Sequence, residues 1–188
     1  MQADYAATVK ILGHVHIEDD SGEVLLDVKN AIHPQNMGTM IGRALARDDN
    51  YWVNKMVLGN GGASVASGGA ITYLPPVTSS NPAGLYNKTY EEIVDESLGS
   101  SAETNTVTQA SGSDVKNVVT IFVELSADQP ASQPSSDQAA SIENDFAFDE
   151  IGLRSFDDLF LSHVIFSPIL KSANRTLTIT YTLTIEVQ

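Results

Sequence analysis

Cysteine is absent from the 188 residues, which excludes disulfides, thiolate metal sites and cysteine nucleophiles together. That absence fits a reducing compartment. Basic side chains are also scarce: ten Lys and Arg face 24 Asp and Glu, for a net charge of −14. The imbalance is local. Residues 91–158 carry fifteen acids against only Lys116 and Arg154, so this stretch alone supplies −13. Such a surface repels phosphate backbones, and nucleic acid is not an expected partner. Its ordinary role is to keep a face solvated. No apolar run approaches the ~20 residues that cross a bilayer, so no membrane association is expected. Met1-Gln2-Ala3-Asp4 has neither the basic start nor the apolar core of a leader. Aromatic residues are few, with one Trp, six Tyr and six Phe. No repeat at a period of roughly 20–50 residues is visible. One domain over residues 1–188 is expected, long enough to bury roughly 70% of the extended chain's surface without staples.

What the chain does have is alternation. Leu177, Ile179, Tyr181, Leu183, Ile185 and Val187 fall on one side of the last segment; Thr176, Thr178, Thr180, Thr182 and Thr184 fall on the other. A period of two puts these sets on opposite faces of a strand, one apolar and one hydroxyl-bearing. Val9, Ile11, Val15 and Ile17 alternate with Lys10, His14, His16 and Glu18. Asp19-Asp20-Ser21-Gly22 then turns the chain into the Val24, Leu26, Val28 alternation, which predicts a hairpin. Further strands are expected at 51–58, 70–74, 89–94, 116–125, 146–153 and 159–168. Only Met37, Met40, Ile41, Ala44 and Leu45 carry helical spacing, with Pro34 suited to the first turn. The Leu98–Val115 stretch is Ser/Thr/Asn-rich. The predicted class is mainly β: an antiparallel β-sandwich or barrel-like domain with one packing α-helix at about 34–47 and long loop arms. The arms are residues 63–87 and 126–141, both poor in core-forming side chains.

Chemistry-bearing patterns are thin. Gly59-Asn60-Gly61-Gly62 lacks the lysine and hydroxyl of a phosphate loop, and reads as a strand exit needing positive φ. His14 and His16 share a strand face near Asp19 and Asp20, a partial donor set for zinc with no third ligand fixed by spacing. Asp145, Asp149, Glu150, Asp157 and Asp158 form an acidic group for which calcium or a glycosidase pair are open readings; the calcium-loop offsets are missing. Ser162-His163 supplies triad residue types without a nucleophile-elbow motif, and a hydrogen-bonded buried histidine is the expected role of His163. No catalytic residue and no cofactor are expected.

The runs Lys29-Asn30-Ala31-Ile32-His33-Pro34-Gln35-Asn36-Met37, Leu58-Gly59-Asn60-Gly61-Gly62, Ile71-Thr72-Tyr73-Leu74-Pro75-Pro76 and Leu85-Tyr86-Asn87-Lys88-Thr89-Tyr90 carry a resemblance, with Phe146–Leu153, Leu161–Pro168 and the Thr-rich final strand. Together they are similar to virion structural proteins of tailed bacteriophages, of the neck, tail, fibre-associated or decoration type. The resemblance spans about three-quarters of the chain and leaves 98–115 and 126–141 unmatched. It implies a non-enzymatic particle component made in the host bacterial cytoplasm. Its partners would be copies of itself and other virion proteins, in a symmetric oligomer at the neck, tail or baseplate or on the capsid. Tyr73, Pro75, Pro76, Tyr86, Tyr90, Pro130 and Pro134 are the candidate oligomer or arm contacts. The alternative is a β-sandwich that binds a host-surface glycan or receptor, with Tyr73, Tyr86 and Tyr90 as the loop aromatics. A carboxylate hydrolase built on Asp149 and Glu150 is the third reading.

Overall fold

A computed structural model describes residues 7–48, 51–79, 83–94, 106–113, 115–130 and 146–188. The chain opens with the expected hairpin, β1 (Val9–Asp19) and β2 (Val24–Ile32). Gly22 at its turn has φ +80°, and the Asp19 carboxylate accepts from the N–H groups of Ser21 and Glu23. The helix α1 (Pro34–Leu45) follows. Then come β3 (Val53–Gly59), β4 (Ala63–Val65), β5 (Ile71–Tyr73), β6 (Lys88–Ile93), β7 (Thr106–Ser113) and β8 (Lys116–Leu125). β9 (Phe146–Ser155), β10 (Phe160–Lys171) and β11 (Leu177–Val187) complete the set. Nine strands form one antiparallel sheet in the order β6-β3-β9-β10-β2-β1-β11-β8-β7, curled into a half-barrel. β4 and β5 pair only with each other. The mainly β, barrel-like class read from the alternation is the observed one.

β11 lies between β1 and β8, in unbroken register with β1 from Val9↔Val187 to Asp19↔Leu177. Its Leu177, Ile179, Tyr181 and Leu183 are buried beside Val15, Ile17, Ile121, Val123 and Leu125, while its threonines stay partly exposed. Side chains of this size contribute ~1.5–3 kcal/mol each when buried, so this inner face holds the sheet's curl. β8 buries Ile121, Val123 and Leu125 on one face, while Val118, Thr120 and Phe122 on the other remain half-covered. Both faces are buried on β3, β9 and β10.

Two strands escape the alternation rule. β7 carries only Val107 and Ala110 as apolar residues and is extended because it pairs with β8, from Thr106↔Phe122 onward. β4 is three residues long and exists through β5.

The helix departs from expectation at its C-terminal end. Met37 is buried and Met40 and Ile41 are half-buried, but Ala44 is exposed and Leu45 is 81% exposed. Its chief support is β10, and its last turn runs beyond that support. His33 caps the start, Nδ1 accepting from the Asn36 N–H, and Asn36 Nδ2 donates to the Phe160 carbonyl. The end is a Schellman closure: Asp48 N–H donates to Arg43 O and Arg47 N–H to Ala44 O, with Arg47 at φ +59°. The helix therefore stops at Leu45, two residues before the expected 47.

Candidate functional site

The register aligns Val57, Gly152 and His163 across β3, β9 and β10, and likewise Gly59, Glu150 and Ile165. These residues share the outer face of the half-barrel. Leu58, Ile151 and Val164, one residue along, face the inner core. An outer face carrying a carboxylate and an imidazole would be wet unless something covered it. The segment between β3 and β6 does so.

Glu150 is fully buried and accepts four hydrogen bonds. Oε1 takes the N–H groups of Gly61 (3.1 Å) and Asn87 (2.7 Å); Oε2 takes that of Tyr86 (2.9 Å) and lies 3.0 Å from His163 Nε2. His163 Nδ1 accepts from the Val77 N–H at 2.9 Å, so the ring proton sits on Nε2 and is donated to Glu150. Asp149 accepts from Gly62 N–H on Oδ1 and Ala63 N–H on Oδ2, both at 2.9 Å. Two adjacent carboxylates and one histidine thus hold six backbone N–H groups of residues 61–63, 77 and 86–87. Burial alone would raise the Glu150 carboxyl; the bonds from His163, Asn87, Tyr86 and Gly61 outweigh it and hold the group below the usual carboxylate range. On Asp149 burial wins, helped by the neighbouring Glu150 charge, and its carboxyl is raised despite the Gly62 and Ala63 bonds.

The Gly59–Gly62 run exists for this approach. A Cβ on Gly59 would lie 2.4 Å from Asn87 O and 2.6 Å from Glu150 Oε1; on Gly61, 2.8 Å from Asn87 N; on Gly62, 3.0 Å from Ile165. Among the described residues the positive-φ glycines are Gly22 and Gly69, so the reading of this run as a positive-φ exit is corrected to one of close contact.

The other sequence candidates are dispersed. Ser162 faces the opposite side of the sheet from His163, accepting from Tyr181 Oη at 2.6 Å and from the Leu153 N–H. Asn30 Nδ2 donates to Tyr181 Oη, a buried inner chain that alternation alone did not single out. Ser162 and His163 therefore make no nucleophile–base pair. The acidic group is split: Asp157 accepts from Tyr51 Oη, and Asp158 pairs with Arg154 (2.7 Å) and Lys55 (3.5 Å), away from Asp149 and Glu150. Asp145 lies outside the described residues. His14 and His16 both border Asp27, at 2.6 and 3.8 Å, and His16 also meets Glu18 at 3.5 Å, while Asp19 is bound by Ser21 and Arg175 instead. Among the described residues no group of three or more His, Asp or Glu is placed to hold a metal ion.

Of the candidate contacts, Tyr73, Pro75, Pro76 and Tyr86 are exposed in or beside the β4–β5 unit, and Tyr86 Oη donates to Pro75 O at 2.8 Å. Tyr90 does not join them: it is partly buried on β6, bonded to Glu92. Pro130 is buried, so it is no open contact, and Pro134 lies outside the described residues. The 63–87 segment is anchored at its base, and its β4–β5 hairpin borders β10 with its apolar face exposed. The start of 126–141 is also tied down, since buried Lys171 donates to the Ala127 and Ser172 carbonyls. Comparison with protein-family models, curated proteins and solved structures returned no match.

Proposed function

We propose that the chain is a non-enzymatic structural component of a tailed-phage virion that assembles as a symmetric oligomer at the neck, tail or baseplate or on the capsid. The observation that carries this reading is the commitment of the buried carboxylate–histidine cluster of Asp149, Glu150 and His163. Asp149, Glu150 and His163 accept from six backbone N–H groups, and this use of them to hold a projecting hairpin supports a structural role. A scaffold that rigidifies an exposed apolar loop fits a role in recognition and assembly. The resemblance of the sequence to virion proteins supplies the particle. Light scattering at rising concentration is expected to show a defined oligomer, and a density map of the intact particle to contain the chain. A strict monomer absent from purified virions overturns the proposal. The exposed Tyr73 and Tyr86 rings favour one second reading, binding of a host-surface glycan or receptor; a glycan array without hits removes it.

A further inference from the structure

Residues 56–87 contain no charged side chain, an unbroken thirty-two positions in a chain with 24 acids and ten bases. Within them β4 and β5 pair Ala63↔Tyr73, Ser64↔Thr72 and Val65↔Ile71. Cross-strand partners share a face, so Ala63, Val65, Ile71 and Tyr73 make one apolar face and Ser64 and Thr72 the other. That apolar face is open: Val65 is 59% and Tyr73 50% exposed, and Ile71 and the following Leu74 are exposed too. A two-stranded hairpin is marginal in water by itself. This one is anchored at its base by Leu74 N–H donating to Gly62 O and by the Asp149 bonds, so it stands as an uncharged, amphipathic, preformed ligand.

A matching receptor lies where the sheet forks. β2 follows β1 only from Glu18↔Val24 to Gly13↔Asn30, then swings to β10, pairing Ala31↔His163 and Ile32↔Ser162. Among the described residues, Val9–Leu12 therefore border no strand on that side. Between this open edge and α1 lies a cavity of about 320 Å³ lined by Val9, Ile11, Ile32, Met37, Gly38 and Ile41, with no charged residue among them. An open strand edge beside an apolar slot suits an extended segment that offers backbone hydrogen bonds and alternate apolar side chains.

We propose that the β4–β5 hairpin of one copy docks in the β1–α1 fork of a second copy. Charge selects this occupant. Two molecules of net charge −14 repel one another, whereas the hairpin and the cavity lining of the fork carry no charge. The two halves are different surfaces, so every molecule carries one of each and contacts can propagate around a ring. The inference rests on the assembly reading above and names its contact.

The test uses the full chain in sedimentation velocity. Tyr73→Asp spoils the hairpin. Gly38→Trp fills the fork from a position where an added Cβ meets open space. Each variant is expected to keep the wild-type melting profile and to weaken self-association at least tenfold. An equimolar mixture of the two is expected to recover a two-chain complex, because the hairpin of the Gly38→Trp copy still fits the fork of the Tyr73→Asp copy. Val65→Asp repeats the hairpin arm should Tyr73→Asp melt early. Association unchanged in the variants, or no recovery on mixing, overturns this contact while leaving assembly by another surface standing. A wild-type monomer at all concentrations overturns both readings.

Discussion

Glu150 shows how a single buried charge shapes the acid stability of the protein. Its folded carboxyl lies below its unfolded value of ~4.3. Its stabilisation is therefore complete above that pH and is lost as pH falls through the folded value. Glu150→Gln is expected to cost about 2–4 kcal/mol at neutral pH, since it leaves backbone donors facing an amide. It should also flatten the loss of stability below about pH 4. Denaturant melts of both forms at several pH values check this; an equally steep acid limb in the variant refutes it. Asp149 runs the other way, its carboxyl raised first by burial, so Asp149→Asn should leave that limb in place. Gly59→Ala tests the close approach from the other side. Its Cβ would sit 2.4 Å from a backbone oxygen, and overpacking of this kind costs typically 1–3 kcal/mol. A neutral result in a thermal melt would mean that the loop does not lie where described.

Among the elements, α1 is the one most open to improvement. Gly42 sits inside the helix with open space around it, and Gly in a helix interior is ~1 kcal/mol worse than Ala. Arg47 holds a left-handed conformation at the closure, which costs an L-residue roughly 1–2 kcal/mol. Gly42→Ala and Arg47→Gly are each expected to raise stability by about 0.5–1 kcal/mol in urea melts. The apolar stripe is unequal along its length. Met37→Asp, at a buried site, should cost several times more than Leu45→Asp, at an exposed one; equal costs would place the helix's last turn against the sheet. The two edge strands also differ in kind. β6 carries Lys88, Glu91 and Glu92, and Glu91 pairs with Lys88, Lys55 and Arg154, charges that guard an edge against unwanted pairing.

At the scale of the molecule, the half-barrel arrangement and the charge act together. The sheet's inner face supplies the core, the β3–β9–β10 part gains a second cover from the 60–87 segment, and the acids lie elsewhere in the sequence. A net charge of −14 opposes contact between copies, and salt screens it, the Debye length falling from about 30 Å at 0.01 M to about 8 Å at 0.15 M. Self-association through neutral surfaces is therefore expected to strengthen over that range of ionic strength. Sedimentation at both salt levels decides: a complex that dissociates as salt rises would point to a contact made by charge pairs.

The residues alone determined the strands, because period-two alternation is a local property; β8 and β11 follow it nearly to the residue, and Pro34 marks the helix start. They could not say which faces are covered. Alternation assigns Glu150 and His163 to one side of a sheet, just as it assigns Thr180 and His16. Only the return of residues 61–63, 77 and 86–87 over the first pair buries it, while the second stays half-exposed. β7 and β4 were hidden for a related reason: their extended state is imposed by the strand beside them. The grouping of Asp149 and Glu150 with Asp157 and Asp158 dissolved likewise. Nearness along a strand places side chains some 3.3 Å apart per residue, but the loops and cations that claim each one arrive from distant parts of the chain.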